Sequence, residues 1–337
     1  MLKYYGSSFA FTALALVIGF VLGGWPTALI VMILGVLEVS LSFDNAVVNA
    51  SVLKNWGQVW RDRFITWGLP IAVFGMRLVF PLLIVGIAVH LNPWEALKLA
   101  VSDPKQYETI LTSVHHEISA FGGAFLMLVF LNFFMDQDKE HHWLGGIEQV
   151  LSKLGGIPFV TYTLTLAVVG LTSFYIPAVE QISFLVAGAS GVGTYLVVQW
   201  LGSSLGGEDS ADGTPRIIKE GIGGFMYLEV LDASFSFDGV IAAFALTNQI
   251  FVIMLGLAVG AMFVRSMTLH LVDKGTLSEF RWLEHGAFWA IGALAIIMFA
   301  GTVFHISELV TGLIGAASIG LALWSSIRAN RADALVA

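Results

Sequence analysis

The chain contains no cysteine, which excludes disulfides and leaves no thiolate for a soft metal such as Cu(I). Charge is scarce as well. Only 12% of the residues are Asp, Glu, Lys or Arg, against roughly 25% in a soluble domain. That is too little to cover a water-facing surface. Lysine and arginine number 16 and form no basic stripe interleaved with aromatics, so a nucleic-acid-binding face is excluded. Enzyme signatures are missing too: no G-x-S-x-G, no Walker loop, no H-E-x-x-H, and no nucleophile beside a base at a recognisable spacing. The sequence is read as that of a non-enzyme. What it does have is apolar residues, 57% of the 337, with a mean hydropathy of +0.84. The solvent it is written for is lipid, and its first partner is the bilayer.

A span needs about 20 mostly apolar residues. On that rule ten are expected, at about 7–24, 27–53, 64–91, 118–135, 157–174, 182–201, 221–246, 250–271, 286–304 and 306–326. The first follows a single Lys3 and is too long for the core of a signal peptide, so it is taken as retained. The fifth and sixth are split by Tyr175-Ile-Pro177 and Glu180, the last two only at His305. Polar segments at 92–117 and 136–156 each carry a short amphipathic piece, and 202–220 has the Gly-, Ser- and Asp-rich composition of a linker. That linker divides a first transmembrane half, 1–201, from a second, 221–337. Lysine and arginine placement sets the orientation. With the N-terminus cytoplasmic, Lys3, Lys54, Arg61, Arg63, Lys139, Lys153 and others fall inside, and only Lys98 and Lys105 outside. Both termini are expected in the cytoplasm of a cell (inner) membrane protein.

One stretch is written twice. Glu38-Val-Ser-Leu-Ser-Phe-Asp44-Asn45 returns as Asp232-Ala-Ser-Phe-Ser-Phe-Asp238-Gly239, with a further acid at Glu229. The span after each copy carries one arginine, Arg77 and then Arg265. The next span begins near a histidine followed seven residues later by glycine: His116 with Gly123, His285 with Gly292. Spans two to four therefore repeat as seven to nine. The offset is odd, so the copies cross in opposite directions, an inverted repeat of the kind that places substrate sites near the bilayer midplane.

Carboxylates inside a bilayer are costly and by default mark ion or substrate pathways. Glu38 and Asp44 are six residues apart, roughly 240° around a straight helix, so a shared site requires a break. Ser40 and Ser42 compete with the helix for backbone hydrogen bonds, and discontinuous motif helices are expected. Glu229 and Asp232, three apart, share a face. The expected metal ligands are Glu38, Asp44, Asn45, Glu229, Asp232 and Asp238, with Ser42, Ser236, Arg77, Arg265, His116 and His285 as supporting or gating groups. Hard oxygen donors suit Mn²⁺, Ca²⁺ or Mg²⁺. Five carboxylates in a low-dielectric site need cations or protons, which points to proton exchange for metal. The opposing structural reading is that the acids pair with Arg77 and Arg265 and hold the bundle together. Paired aspartates also serve intramembrane proteases, but the extra acids and the repeat argue against that here. Gly256 with Gly260, and Gly19 with Gly23, are close-packing signals.

With these residues in place, the chain resembles the TerC family of integral membrane proteins, in the wider superfamily that includes lysine exporters, and within it a branch of unknown function. The likeness rests on Glu38 through Asp44-Asn45, on Glu229, Asp232 and Asp238, on the Ala-Leu-Thr247 that closes that span, and on the arginine after each motif. The family carries Ser or Asn where this chain has Gly239. The resemblance implies efflux of a divalent cation as substrate, Mn²⁺ before Ca²⁺. It also implies a link to tellurium resistance, which is indirect, because an acid-lined site repels the tellurite anion. Two other functions stay open: a metal-binding scaffold or sensor that does not transport, and a cationic amino-acid exporter. An oligomer is possible, but nothing in the sequence indicates one.

Overall fold

A computed structural model describes residues 2–68, 70–137, 139, 141–205, 220–304 and 306–336. The described residues are helical throughout, without a strand. Among the described residues seven helical stretches are long and apolar enough to cross a bilayer, and the protein is an all-α, multi-pass membrane protein.

Helix α1 (Leu2–Leu41) is 40 residues long, about 60 Å if straight and twice the ~30 Å hydrocarbon core. It is not straight. Gly23 and Gly24 leave the helical region, Gly24 at φ +71°, and Pro26 opens the second arm. Gly19 lies against Ala28 and Val31, so the arms fold back as a hairpin. The two expected spans are thus both present within one run. A second interruption falls at Ser42 (φ −106°, ψ 19°), after which α2 (Phe43–Leu53) continues.

Helix α3 (Gln58–Arg63) runs into two π-helical stretches, Phe64–Gly68 and Ile71–Val79, and then α4 (Phe80–Ala88). Pro70 and Pro81 lack an N–H, and wide turns accommodate them. The polar segment after α4 holds α5 (Pro93–Ser102), opened by an Asn92–Glu95 capping box, and α6 (Pro104–Ser113). Then come α7 (His115–Phe134), the amphipathic α8 (Gly146–Leu154), α9 (Val160–Ser173) and α10 (Gln181–Leu205). Of the linker expected at 202–220, residues 202–205 instead continue α10, and 206–219 lie outside the described residues. The second half is α11 (Ile222–Phe244), α12 (Ile250–Asp273), the short α13 (Thr276–Glu279), α14 (Leu283–Gly301) and α15 (Glu308–Val336). Each of the ten expected spans meets a helix or a hairpin arm, but α9, at 14 residues, and α11 are not among the seven stretches long and apolar enough to cross. His305, where the last two were divided, is not among the described residues.

Packing follows the repeat. The first motif segment lies on α12, and α11 lies on the π-helical stretch Ile71–Val79. Each motif helix therefore packs against the arginine-bearing helix of the other half. Helices α7 and α14, which follow in each half, pack against one another. This reciprocity is what a twofold exchange of the three-helix units produces. Small residues make the approach possible. A Cβ on Gly256 would sit 2.5 Å from that of Leu34, and one on Gly260 would overlap the Cβ and Cγ of Glu38.

One expectation needs correction. The first motif helix breaks at Ser42, but the second runs unbroken from Ile222 to Phe244. Ser40 and its counterpart Ser234 both turn their hydroxyls back to the carbonyl one turn earlier, on Val36 (2.8 Å) and Val230 (2.9 Å). The copies part at the next serine: Ser42 donates to the Glu38 carboxylate at 3.3 Å, whereas its counterpart Ser236 lies within the unbroken helix.

Candidate intramembrane cation site

The two motifs meet. Asn45 donates from Nδ2 to Asp232 Oδ1 at 3.0 Å. A Cβ on Gly239 would lie 2.9 Å from Glu38 Oε2. As numbers rise along one motif they fall along the other, so the copies cross antiparallel. Asp232 stands in the second copy where Glu38 stands in the first, and Gly239 where Asn45 stands. The two contacts are mates under one twofold. At Gly239 the missing side chain leaves room for the Glu38 carboxylate.

The break at Ser42 does what the spacing of Glu38 and Asp44 required. It puts Asp44 in the first turn of α2, where the helix N-terminus favours a carboxylate, and Oδ1 accepts the Asn45 backbone N–H at 2.9 Å. Glu38, Asp44, Asn45, Glu229 and Asp232 are all buried. The side chain of Asp238 lies outside the described part of the structure, so its meeting with Asp44 stays untested.

Arg77 binds the cluster together. It is 2% exposed, pairs through Nη2 with Glu38 Oε1, and holds Nη1 3.8 Å from Asp232 Oδ2. The same Nη1 donates to the Ala72 carbonyl at 2.6 Å. The structural reading of the acids is thus partly right, since two of them share this guanidinium. A cavity of about 50 Å³ opens on one side, lined by Glu38, Ser42, Asp44 and Gly239, with α14 and α15 as its far wall. Another of about 40 Å³ opens on the other side, where Arg77, Glu229, Asp232, Arg265, Asn49 and Thr268 meet. The ion pairs lie at the seam.

Buried polar atoms without hydrogen-bond partners gather here: Asn45 Oδ1, Asn49 Oδ1, Arg77 Nε, both oxygens of Glu229, Asp232 Oδ2 and Arg265 Nε. Native proteins leave few such atoms, and each calls for a reason. Among the described side chains, four carboxylates (Glu38, Asp44, Glu229, Asp232) face two guanidiniums (Arg77, Arg265). No three carboxylates or imidazoles among the described residues stand together as a ready metal shell, and Arg77 lies between two of the acids.

Other expected residues go elsewhere. Ser236 is buried one turn after Asp232. His116 Nδ1 lies 2.5 Å from Glu180 Oε2, and His285 Nε2 lies 3.0 Å from the His141 carbonyl and 3.6 Å from Glu148. Both histidines sit at helix N-termini facing the neighbouring loop, away from the acids. Sequence reasoning missed Asn49 and Thr268. The i, i+4 pair Asn45–Asn49 was a readable signal for the first. It also missed Glu148, fully buried and accepting the Trp143 backbone N–H (2.8 Å) and the Trp289 indole N–H (3.0 Å). Beside it Lys139 lies over the Phe133 ring. Burial pushes its ammonium down to about 7, only partly opposed by Glu284, Glu148 and Asp136, while Lys54 adds to the lowering.

Comparison with known proteins places the chain. A family described as "Protein of unknown function (DUF475)" matches residues 43–333, from the break in the first motif helix into α15. The chain belongs to that family. The chain is also similar to the "Uncharacterized membrane protein YceF" of Bacillus subtilis (strain 168), 37% identical over 81 residues. That match covers 23% of this chain and 29% of the relative, so the chain spans less than a third of the relative's length. No solved structure matches.

Proposed function

We propose that this protein is a divalent metal-ion transporter of the cell membrane, with Mn²⁺ efflux as its activity and protons as counter-ions. The observation that carries the reading is the buried cluster of Glu38, Asp44, Asn45, Asp232 and Glu229, formed where two antiparallel motifs cross and flanked by a cavity on each side. Intramembrane acids at such a crossing mark ion pathways. The donors are hard oxygens, the class that takes Mn²⁺, Ca²⁺ or Mg²⁺. Glu229, whose oxygens have no partner, is the group placed to carry a proton in exchange. The resemblance to TerC proteins supports the same direction.

Cavities of about 50 and 40 Å³ hold a few water-sized occupants, since one water needs roughly 10–15 Å³. That favours a metal ion over a cationic amino acid. The experiment is Mn²⁺ flux into proteoliposomes, read by quenching of a trapped fluorophore. The wild type is expected to transport, with loss of about tenfold or more in Asp44→Asn and Asp232→Asn. Mn²⁺ binding without flux would replace transport by the scaffold or sensor reading, and absence of both would reject a metal function.

A further inference from the structure

Arg77 is more than a partner for Glu38. Its guanidinium lies at the seam of the two cavities, with Nη1 and Nη2 engaged and Nε without a partner. The second cavity, which Arg77 lines, is also lined by Glu229. Glu229 is 4% exposed, and neither of its carboxylate oxygens has a hydrogen-bond partner among the described residues. A buried carboxylate with no ion pair among the described residues thus shares one small chamber with two guanidiniums, Arg77 and Arg265, each with an unused Nε–H.

The backbone between them departs from the α form. Arg77 rides on the π-helical stretch Ile71–Val79. Gly68, at the end of the preceding π-helical stretch, lies so close to Glu229 that a Cβ there would be 3.0 Å from Oε1. π turns are rare in helices, are frequent at functional sites, and close their hydrogen bonds one residue further along the chain (i→i+5) than the α form. Rewinding such a turn rotates the side chains beyond it about the helix axis.

We propose that Arg77 is a tethered surrogate cation: it pairs with Glu38 and Asp232 when the site holds no metal, and crosses to Glu229 when a divalent ion takes those carboxylates. The inference rests on the transport reading above. It accounts for the unpartnered Glu229, which is the second berth. The acid pair is never left without a cation, so the site does not strand bare charge in the membrane. It also sets specificity. A monovalent ion offers Glu38 and Asp232 no more charge than the guanidinium it must displace, whereas a divalent ion offers twice as much.

The test is Mn²⁺ affinity of the whole protein in nanodiscs, by electron paramagnetic resonance, for wild type, Arg77→Gln, Arg77→Ala and Glu229→Gln. Removing a competitor that occupies the site raises apparent affinity by the reciprocal of the fraction of time the site was free of it, about tenfold for a site free roughly a tenth of the time. Arg77→Gln and Arg77→Ala are expected to bind Mn²⁺ about tenfold tighter or more while flux slows. Glu229→Gln is expected to bind more weakly, because Arg77 loses its alternative partner. Millimolar guanidinium ion should compete with Mn²⁺ in Arg77→Ala and not in the wild type. Folded Arg77 variants with unchanged or weaker binding, and no guanidinium effect, would make Arg77 a structural clamp and overturn the proposal. Should those variants fail to fold, Glu229→Gln decides, and unchanged or tighter binding there refutes it. A wild type that binds no Mn²⁺ sinks the transport reading itself. A wild type that binds and transports while the variants shift the wrong way sinks only the role of Arg77.

Discussion

Replacing Glu38 by Gln should destabilise the protein far more than replacing Asp44 by Asn, although both residues line the same cavity. Glu38 and Arg77 are 3% and 2% exposed. Removing one partner of a buried pair costs about 3–5 kcal/mol, because the other charge is left without compensation. Asp232, 3.8 Å from Nη1, retains part of the pairing, which places Glu38→Gln near the lower end, about 3 kcal/mol. That corresponds to a fall in Tm on the order of 5–10 °C. Asp44 accepts only the backbone N–H of Asn45 and has no ion pair among the described residues, so Asp44→Asn should cost less than about 1 kcal/mol. The double variant Glu38→Met with Arg77→Met removes both charges and should recover most of the loss, since apolar replacements of buried pairs are often neutral. The assay is thermal unfolding in one detergent, run as a double-mutant cycle. A Glu38→Gln protein as stable as wild type, or a double variant less stable than the sum of the singles, would refute the buried-pair reasoning.

Further outcomes follow from other parts of the molecule. Lys139, held near 7 by burial, binds fewer protons in the folded state than in the unfolded state between about pH 7 and its ordinary pKa of about 10.4. Stability should therefore rise across that window, and Lys139→Met should flatten the rise in a Tm-against-pH series. At Gly260 a Cβ would overlap Glu38. Gly260→Ala should cost about 1–3 kcal/mol by overpacking and lower Mn²⁺ flux, both readable on one preparation. Gly239→Asn places a Cβ 2.9 Å from Glu38 Oε2 and should impair flux by forcing that carboxylate from its position. The exposed pair Arg281–Asp333 sets the baseline: Asp333→Asn should change stability by less than about 1 kcal/mol.

Much of this arrangement was legible in the residues. Low charge and long apolar runs gave the helical membrane class, because lipid leaves few ways to satisfy a backbone. The repeated acid motif indicated an antiparallel crossing, and the Asn45–Asp232 and Glu38–Gly239 contacts show that crossing. The six-residue spacing of Glu38 and Asp44 called for a break, and Ser42 supplies it. The same Ser-x-Ser pattern left the second helix whole, because a serine hydroxyl can either compete with the helix or fold back into it, and local sequence does not choose. The sharing of Arg77 between acids of both halves was equally hidden, since it depends on how α11 packs against the π-helical stretch. The matched histidines His116 and His285 followed the repeat but not the site. Their partners, Glu180 and Glu148, come from segments outside the repeated units.

The central claim is tested most directly by anomalous diffraction from crystals grown with Mn²⁺. The account predicts one strong peak between the crossing motifs, about 2.1–2.6 Å from carboxylate oxygens of Asp44 and of Glu38 or Asp232, with the Arg77 guanidinium moved toward Glu229. A peak found only on loop residues such as His141 or His142, with Arg77 still paired to Glu38 at saturating Mn²⁺, would contradict it.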